Sequence, residues 1–249
     1  MKKILVNFAN DAFADLQTIN SKSGLMVGGF DEVRSFKPSD MSTDFRIRNQ
    51  KTLSIDKGAG LWLWKPYFIR KALNSIDTGD LLFYCDSGST FINNIDGIIN
   101  TLEDRQSTIG CFDLVDKIEA KWTKSDCLAD RSKPEYFHTS QRLASFIMLK
   151  KSNISIEIIN DFLNSCEISN NINEENVISG VRHRHDQSVW SLLTKIYDIK
   201  SMRDPSQFGK PFMHQFPDCH YEVIIDLHRL NKPTKSEKIK SKLSKLFRF

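Results

Sequence analysis

The residues best suited to chemistry stand where apolar runs end. In "GDLLFYCDSGS" a nearly continuous hydrophobic segment stops at Asp86, followed by Ser87, Gly88 and Ser89. A carboxylate among residues too small to obstruct approach suits a divalent cation held against phosphate oxygens. Magnesium-like ions use one or two protein carboxylates and let phosphate and water complete the shell. The same four residues also read as an ordinary turn, because Asp, Ser and Gly all favour turns.

Three further stretches carry candidate chemistry. In "GVRHRHDQSVWSLL", Asp186 and Gln187 open an apolar-periodic segment, with His183, Arg184 and His185 crowded before them. Asp186 can cap a helix there, grip a polar substrate, or do both. In "IIDLHRL", His228 and Arg229 suit a diphosphate, through metal coordination or a charge-assisted bond, or form a surface pair. In "IEAKWTKSDCL", Trp122, Lys124 and Asp126 combine an aromatic face with charge, as a sugar platform does. Trp122 also fits a core position, and the same ambiguity holds for Trp62 and Trp64 in "GAGLWLWKPY".

Positioning these groups requires an alternation of strands and helices. "KKILVNFAN" reads as an opening strand that ends in polar Asn7 and Asn10, not as a signal peptide. "DAFADLQTINSKSGL" reads as a helix capped by Asn10 or Asp11 and closed by Gly24, and "FDEVRSF" as a second strand. Residues 44 to 60 are polar and expected to be irregular. A helix with Pro66 in its first turn follows, then the strand "LLFYC", a helix in "INNIDGIINTLED" and the strand "TIGCFDLV". "SQRLASFIMLKK" fits a helix or a strand, "ISIEIINDFLNSC" and "HDQSVWSLLTKIYDI" are helical, and "YEVIIDLHRL" is a strand or irregular. This order predicts an α/β sheet whose ligands gather at the carboxyl ends of strands.

Composition narrows the class. The 249 residues suffice for one domain with an appendage, and no apolar run reaches the roughly 20 residues needed to cross a bilayer. Five widely spaced cysteines without a CxxC pair fit a reducing compartment and buried thiols. The net charge of +4 is localised: residues 231–249 hold seven Lys/Arg against Glu237 alone, so the body is mildly acidic and a nucleic-acid-binding body is disfavoured. We therefore divide the chain into a domain at 1–230 and a basic tail at 231–249. In the tail, Ile239, Leu243, Leu246 and Phe247 share one helical face, the pattern of an amphipathic segment lying on an anionic membrane.

The order of these blocks resembles small bacterial glycosyltransferases of surface-polysaccharide biosynthesis (O-antigen, capsule, lipooligosaccharide). "GAGLWLWKPYFIRKAL" is similar to their G-x-G-Y-W-x-W-K-P-Y block, "GDLLFYCDSGS" to their strand ending in D-x-G, and "RHRHDQSVWSLL" to their H-D-Q-S helix start. "KWTKSD" and "SQRLASFIMLKK" look like their middle region, so the resemblance covers most of residues 1 to 230.

It implies a single GT-A-like domain, a Rossmann-like mixed sheet flanked by helices, and transfer of a sugar (a hexose) from a nucleotide-sugar donor, UDP-sugars favoured, to a glycan or lipid-linked acceptor. It further implies Asp186 and Gln187 as catalytic residues, and Asn7, Asn10, Lys65, Asp86, Ser87, Gly88 and Arg229 at the donor. A Mn or Mg ion would sit on Asp86 and His228, and the acceptor on Trp62, Trp122, Lys124, Asp126 and His185. The expected place is the cytoplasmic face of the inner membrane, with the tail as peripheral anchor.

Two departures stand out. The usual Asp-x-Asp is Asp86-Ser87-Gly88 here, without the second carboxylate, and Leu61 replaces a frequent aromatic residue. The competing readings are a non-catalytic carbohydrate-binding or membrane-adaptor module, and another nucleotide-sugar or nucleotidyl transferase. The latter class usually shows a Gly-rich phosphate loop after the first strand, and "VNFANDAF" has none.

Overall fold

The computed structural model describes residues 1–228. Its centre is a five-stranded mixed sheet in the order β2-β1-β3-β6-β5, where β1 is Lys3–Phe8, β2 Glu32–Phe36, β3 Leu81–Cys85, β5 Ile109–Ile118 and β6 Ser140–Lys150. β1 runs parallel to both β2 and β3, whereas β6 is antiparallel to β3 and to β5. A separate antiparallel pair joins β4 (Ser89–Phe91) to β7 (Ile225–Leu227). "SQRLASFIMLK" is thus the strand β6.

The central strands read as unbroken apolar runs because both faces are covered. Alternate residues divide between two cores: Ile4, Val6, Leu82 and Tyr84 join one, Leu5, Leu81, Phe83 and Cys85 the other. The first core packs under the helices Trp64–Asn74, Asn153–Glu167 and Asp186–Ile196. The second takes up the helix Asp96–Asp104 and the β4-β7 pair. All five cysteines are free and buried, and burial pushes the Cys85 thiol up to about 12, so these thiols pack rather than react. Among the described residues no helix is long and apolar enough to cross a membrane.

Two expectations require correction. Gly24 does not close the first helix. The helix Ala14–Ser23 runs into a wider turn over Gly24–Gly28, which ends at Gly29 with φ of 78°. Gly24 is there for close approach, since a Cβ would lie 2.4 Å from Leu5 Cδ2 of β1.

Residues 44–60 are not irregular either. Ser42 caps the short helix Thr43–Arg48, and buried Phe45 stacks on Tyr67 with centroids 4.1 Å apart. From Gly58 to Trp62 five consecutive residues have positive φ, a left-handed helical turn closed by Leu61 N–H to Lys57 O and Trp62 N–H to Gly58 O. Left-handed φ costs an L-residue about 1–2 kcal/mol, and Ala59, Leu61 and Trp62 each adopt it.

Candidate active site

The chain passes from β1 to β2 on one side and then crosses back to β3 on the other, so the strand order reverses at β1 and opens a crevice at the carboxyl ends of β1 and β3. There a cleft of about 630 Å³ is lined by Phe8, Ala9 and Asn10 after β1, and by Asp86, Ser87 and Gly88 after β3. A second cleft of about 530 Å³ adjoins it, walled by Lys65, Trp122, the segment Val181–His185 and Asp186. Trp62, Asp86, Ser145, Arg184 and Gln187 line both.

The joint between the clefts is an ion triad. Lys65, near the start of its helix and only 3% exposed, places Nζ 2.9 Å from Asp186 Oδ2 and 3.4 Å from Asp86 Oδ1. It also donates to the Ala144 carbonyl at 3.1 Å. Burial disfavours its ammonium, but Asp186 and Asp86 outweigh this and raise its pKa. Burial pushes Asp186 up to about 6, against the pull of the lysine it shares. The Asp86 side chain is 30% exposed and accepts a 2.6 Å hydrogen bond from the Tyr84 hydroxyl. Asp86 and Asp186, a hundred positions apart, therefore meet.

Backbone strain frames the triad. His185, just before the helix of Asp186, has φ 54° and ψ −123°, a region that non-glycine residues rarely occupy. Its ring stacks on Trp62 at 5.4 Å, and its Nδ1 is 2.7 Å from the Ile172 carbonyl. Burial lowers the pKa of His185, and that of His183 to about 4, so both rings are neutral at pH 7. Trp64 serves packing: it stacks on Phe8 at 3.9 Å and its Nε1 donates to the Gly58 carbonyl, bracing the left-handed turn.

Gln187 is oriented by a chain of hydrogen bonds of fixed polarity. Glu119, fully buried and paired with Lys195, accepts from Thr123, Ser191 and Gln141. The Gln141 amide nitrogen therefore faces acceptors, and its oxygen accepts from Gln187 Nε2 at 2.8 Å. That leaves Gln187 Oε1 toward the Ala144 amide, 3.4 Å away. A buried network with every member satisfied fixes geometry in this way.

The structure sorts the remaining candidates. Asn10 lines the first cleft, and its Oδ1 is buried without a hydrogen-bond partner among the described residues. Ser87 Oγ ties β3 to β1 through the Phe8 carbonyl at 2.6 Å, and a Cβ on Gly88 would meet nothing within 4 Å.

Asn7 is turned away from the clefts into a buried set with Gln17, Asn20 and Ser21. Lys124, 1% exposed, is spent on Asn170, Asn173 and the Glu175 carbonyl, with Asp126 3.5 Å away. Lys124 and Asp126 therefore anchor the 170–176 loop rather than line a cleft. His228 has Nε2 on Thr90 Oγ1 at 2.6 Å and Nδ1 on Asp226 at 3.1 Å, while its backbone N–H bonds Gly88.

Among the described residues no cluster of three or more His, Cys, Asp or Glu could hold a metal. Arg229 and the tail lie outside the described residues. Sequence reasoning did not single out Gln141, Lys117 or Arg182. Only the alternation in "RHRH", two histidines buried and two arginines exposed, hinted that this stretch has two sides.

No family model and no curated protein sequence matches the chain. Solved structures do. Galactosyltransferase LgtC, in complex with donor and acceptor sugar analogs, aligns over 98% of this chain and 94% of its own at TM-score 0.54 and 13% identity. Mouse xyloside xylosyltransferase 1 aligns over 94% and 99% at TM-score 0.52 and 9% identity. A glycosyltransferase involved in glycosylation of the major capsid of PBCV-1 aligns over 96% and 100% at TM-score 0.51 and 8% identity. With identities this low the likeness concerns architecture: the chain is folded as a GT-A-like glycosyltransferase.

Proposed function

We propose that the protein transfers a sugar from a nucleotide-sugar donor, UDP-sugars favoured, to a glycan or lipid-linked acceptor in bacterial cell-surface polysaccharide assembly. The observation that carries this reading is the Lys65 ammonium between Asp86 and Asp186, at the wall shared by two adjoining clefts. Two substrates need two compartments that meet at one reactive point. The first cleft, at the ends of parallel strands, is assigned to the nucleotide, with Asn10 offering an acceptor to the base. The second is assigned to the acceptor, with Trp62, Trp122 and His185 in its wall.

In the reaction an acceptor hydroxyl oxygen bonds to the anomeric carbon as the bond from that carbon to the diphosphate oxygen breaks. The electron pair leaves with the diphosphate, and the hydroxyl proton passes to a base. Asp186, with a pKa near 6, is assigned to that proton or to the positive charge that develops on the sugar. Asp86, more exposed, is assigned to the donor, and Gln187, held at the joint, to orienting the sugar.

The donor set fits a divalent ion at one point only. Asp86 has a partly exposed carboxylate engaged at Oδ1, and the His228 ring would first have to leave Thr90. Asp86 would hold a Mn or Mg ion jointly with substrate phosphates and water, and such an ion supplies positive charge to the departing diphosphate. We assign the protein to the cytoplasmic face of the inner membrane, reached through the basic tail.

The test is a panel of UDP- and GDP-sugars given to the purified full chain with manganese, read as nucleoside diphosphate released and glycan product by mass spectrometry. We expect turnover of at least one donor. An absence of both turnover and calorimetric binding of UDP or GDP would favour a non-catalytic carbohydrate-binding module.

A further inference from the structure

The two longest strands of the central sheet lose their register beside the triad. β5 and β6 pair Gly110 with Met148 and Phe112 with Leu143. Between those pairs β5 has Cys111 alone, whereas β6 has the four residues 144–147. A regular ladder would need one, so β6 bulges by three residues, and the peptide groups that leave β5 must find other partners. They find the site. The Ala144 carbonyl accepts from Lys65 Nζ at 3.1 Å, and the Ala144 amide donates to Gln187 Oε1 at 3.4 Å. The next carbonyl, that of Ser145, accepts from the Asp86 amide at 2.9 Å.

The bulge also shifts the alternation of side chains. Leu143 and Phe146 join one core, Ala144 and Ile147 the other, so the phase changes across Ser145. Ser145 is partly buried and lines both clefts at their joint. Its hydroxyl makes no hydrogen bond with any described residue. Of the five residues common to the two clefts, it brings the one hydroxyl. Ionised Asp86 only accepts and Arg184 only donates, whereas a hydroxyl does both at once, as the hydroxyls of a sugar do.

We propose that Ser145 contacts the transferred sugar, its hydroxyl bonded to one sugar hydroxyl, so that the bulge in β6 helps to select the donor. This rests on the reading that the joint of the clefts holds that sugar. Bulges beside active sites commonly re-aim a side chain in this way.

The experiment gives the full chain, with manganese and acceptor, its best UDP-sugar and the monodeoxy analogues of that donor. Parent, Ser145→Ala and Ser145→Thr are compared by kcat/KM, and the binding of UDP alone and of each UDP-sugar is read by calorimetry. In the parent at least one deoxy analogue should lose tenfold or more, because a site that bonds a substrate hydroxyl rejects the analogue lacking it. Ser145→Ala should lose at least tenfold on the parent donor, yet lose threefold or less on passing to that analogue. Ser145→Thr, which keeps the hydroxyl, should keep the discrimination, and UDP alone should bind all three proteins within twofold. Unchanged kcat/KM in Ser145→Ala, or an equal loss on every analogue, overturns the proposal while leaving the transferase reading intact. If the parent neither turns over nor binds any nucleotide sugar, the transferase reading fails and the proposal with it.

Discussion

Trp62 and His185 stack on one another with ring centroids 5.4 Å apart, and both hold positive φ, 60° and 54°. Two strained residues from segments more than a hundred positions apart thus brace each other in the wall of the second cleft. Strain of this kind survives only where the surroundings over-determine it. Here they include the Trp64 indole bond to Gly58, buried Leu61, and the carbonyl that holds the His185 ring. The turn places Lys65 at the triad by carrying the chain into its helix at Trp64.

The turn depends on Gly60. Its φ is 97°, and an added Cβ would lie 2.8 Å from Leu53 Cα, a backbone atom with no easy retreat. Gly60→Ala should lose about 2 kcal/mol or more, which for a domain of this size lowers the Tm by roughly 4–8 °C. Gly88→Ala is the contrast: open space surrounds it, so its Tm should stay within about 1 °C while nucleotide binding in the first cleft weakens. Calorimetric scans of both variants check the pair, and equal melting temperatures would refute the role given to the turn.

Asp86→Ala and Asp186→Asn should each reduce sugar transfer by at least about a hundredfold, the scale expected when a group acting on developing charge is lost. Circular dichroism should remain that of the parent. Near-parental turnover in either purified variant removes that residue from the reaction. Chelator titration during turnover, with manganese added back, reads separately whether Asp86 works through an ion.

The strands at the site were legible in the sequence because burial on both faces leaves an unmistakable apolar run, as in "ILVNF" and "LLFYC". Asp86 and Asp186 were legible too, since each stands where such a run ends or a helix begins. The left-handed turn was not: only two of its five residues are glycine, and the other three are held by contacts with distant parts of the chain. Asn7, Lys124 and Asp126 have the right types for a sugar or phosphate site. What the linear order conceals is that each already has its polar partners, Asn20, Asn173 and Asn170 among them. The expected strand-or-helix ambiguity of "SQRLASFIMLK" resolved as a strand because its two faces divide between the two cores, with Ile147 and Leu149 on one side and Phe146 and Met148 on the other.

Stability should vary with pH through two opposing groups. Burial raises Asp186 from 3.8 to about 6, so the folded state holds a proton that the unfolded state has lost, and acidification from pH 6 toward 4 stabilises. Burial lowers His183 from 6.5 to about 4, with His185 shifted the same way, so stability complete above pH 6.5 is lost on that same descent. Asp186 and His183 are each worth on the order of 3 kcal/mol and largely mask one another. Asp186→Asn should steepen the acid loss, and His183→Asn should reduce or reverse it. Urea unfolding at pH 4.5 and 7 reads both, and parallel pH profiles for the two variants would contradict these protonation states.

Membrane attachment is tested on residues 229–249, which lie outside the described residues. Seven basic side chains after residue 230 would contribute about 1 kcal/mol each near an anionic leaflet, and Ile239, Leu243, Leu246 and Phe247 add an apolar face if the segment lies on the membrane as a helix. The full chain should co-sediment with phosphatidylglycerol vesicles at low salt, less so at 0.5 M NaCl, and not with neutral vesicles. A variant ending at residue 231 should remain in the supernatant yet turn over soluble acceptors at the parental rate, because the triad and both clefts are built from residues before 229. Unchanged sedimentation of the shortened chain would move the anchor into the folded domain.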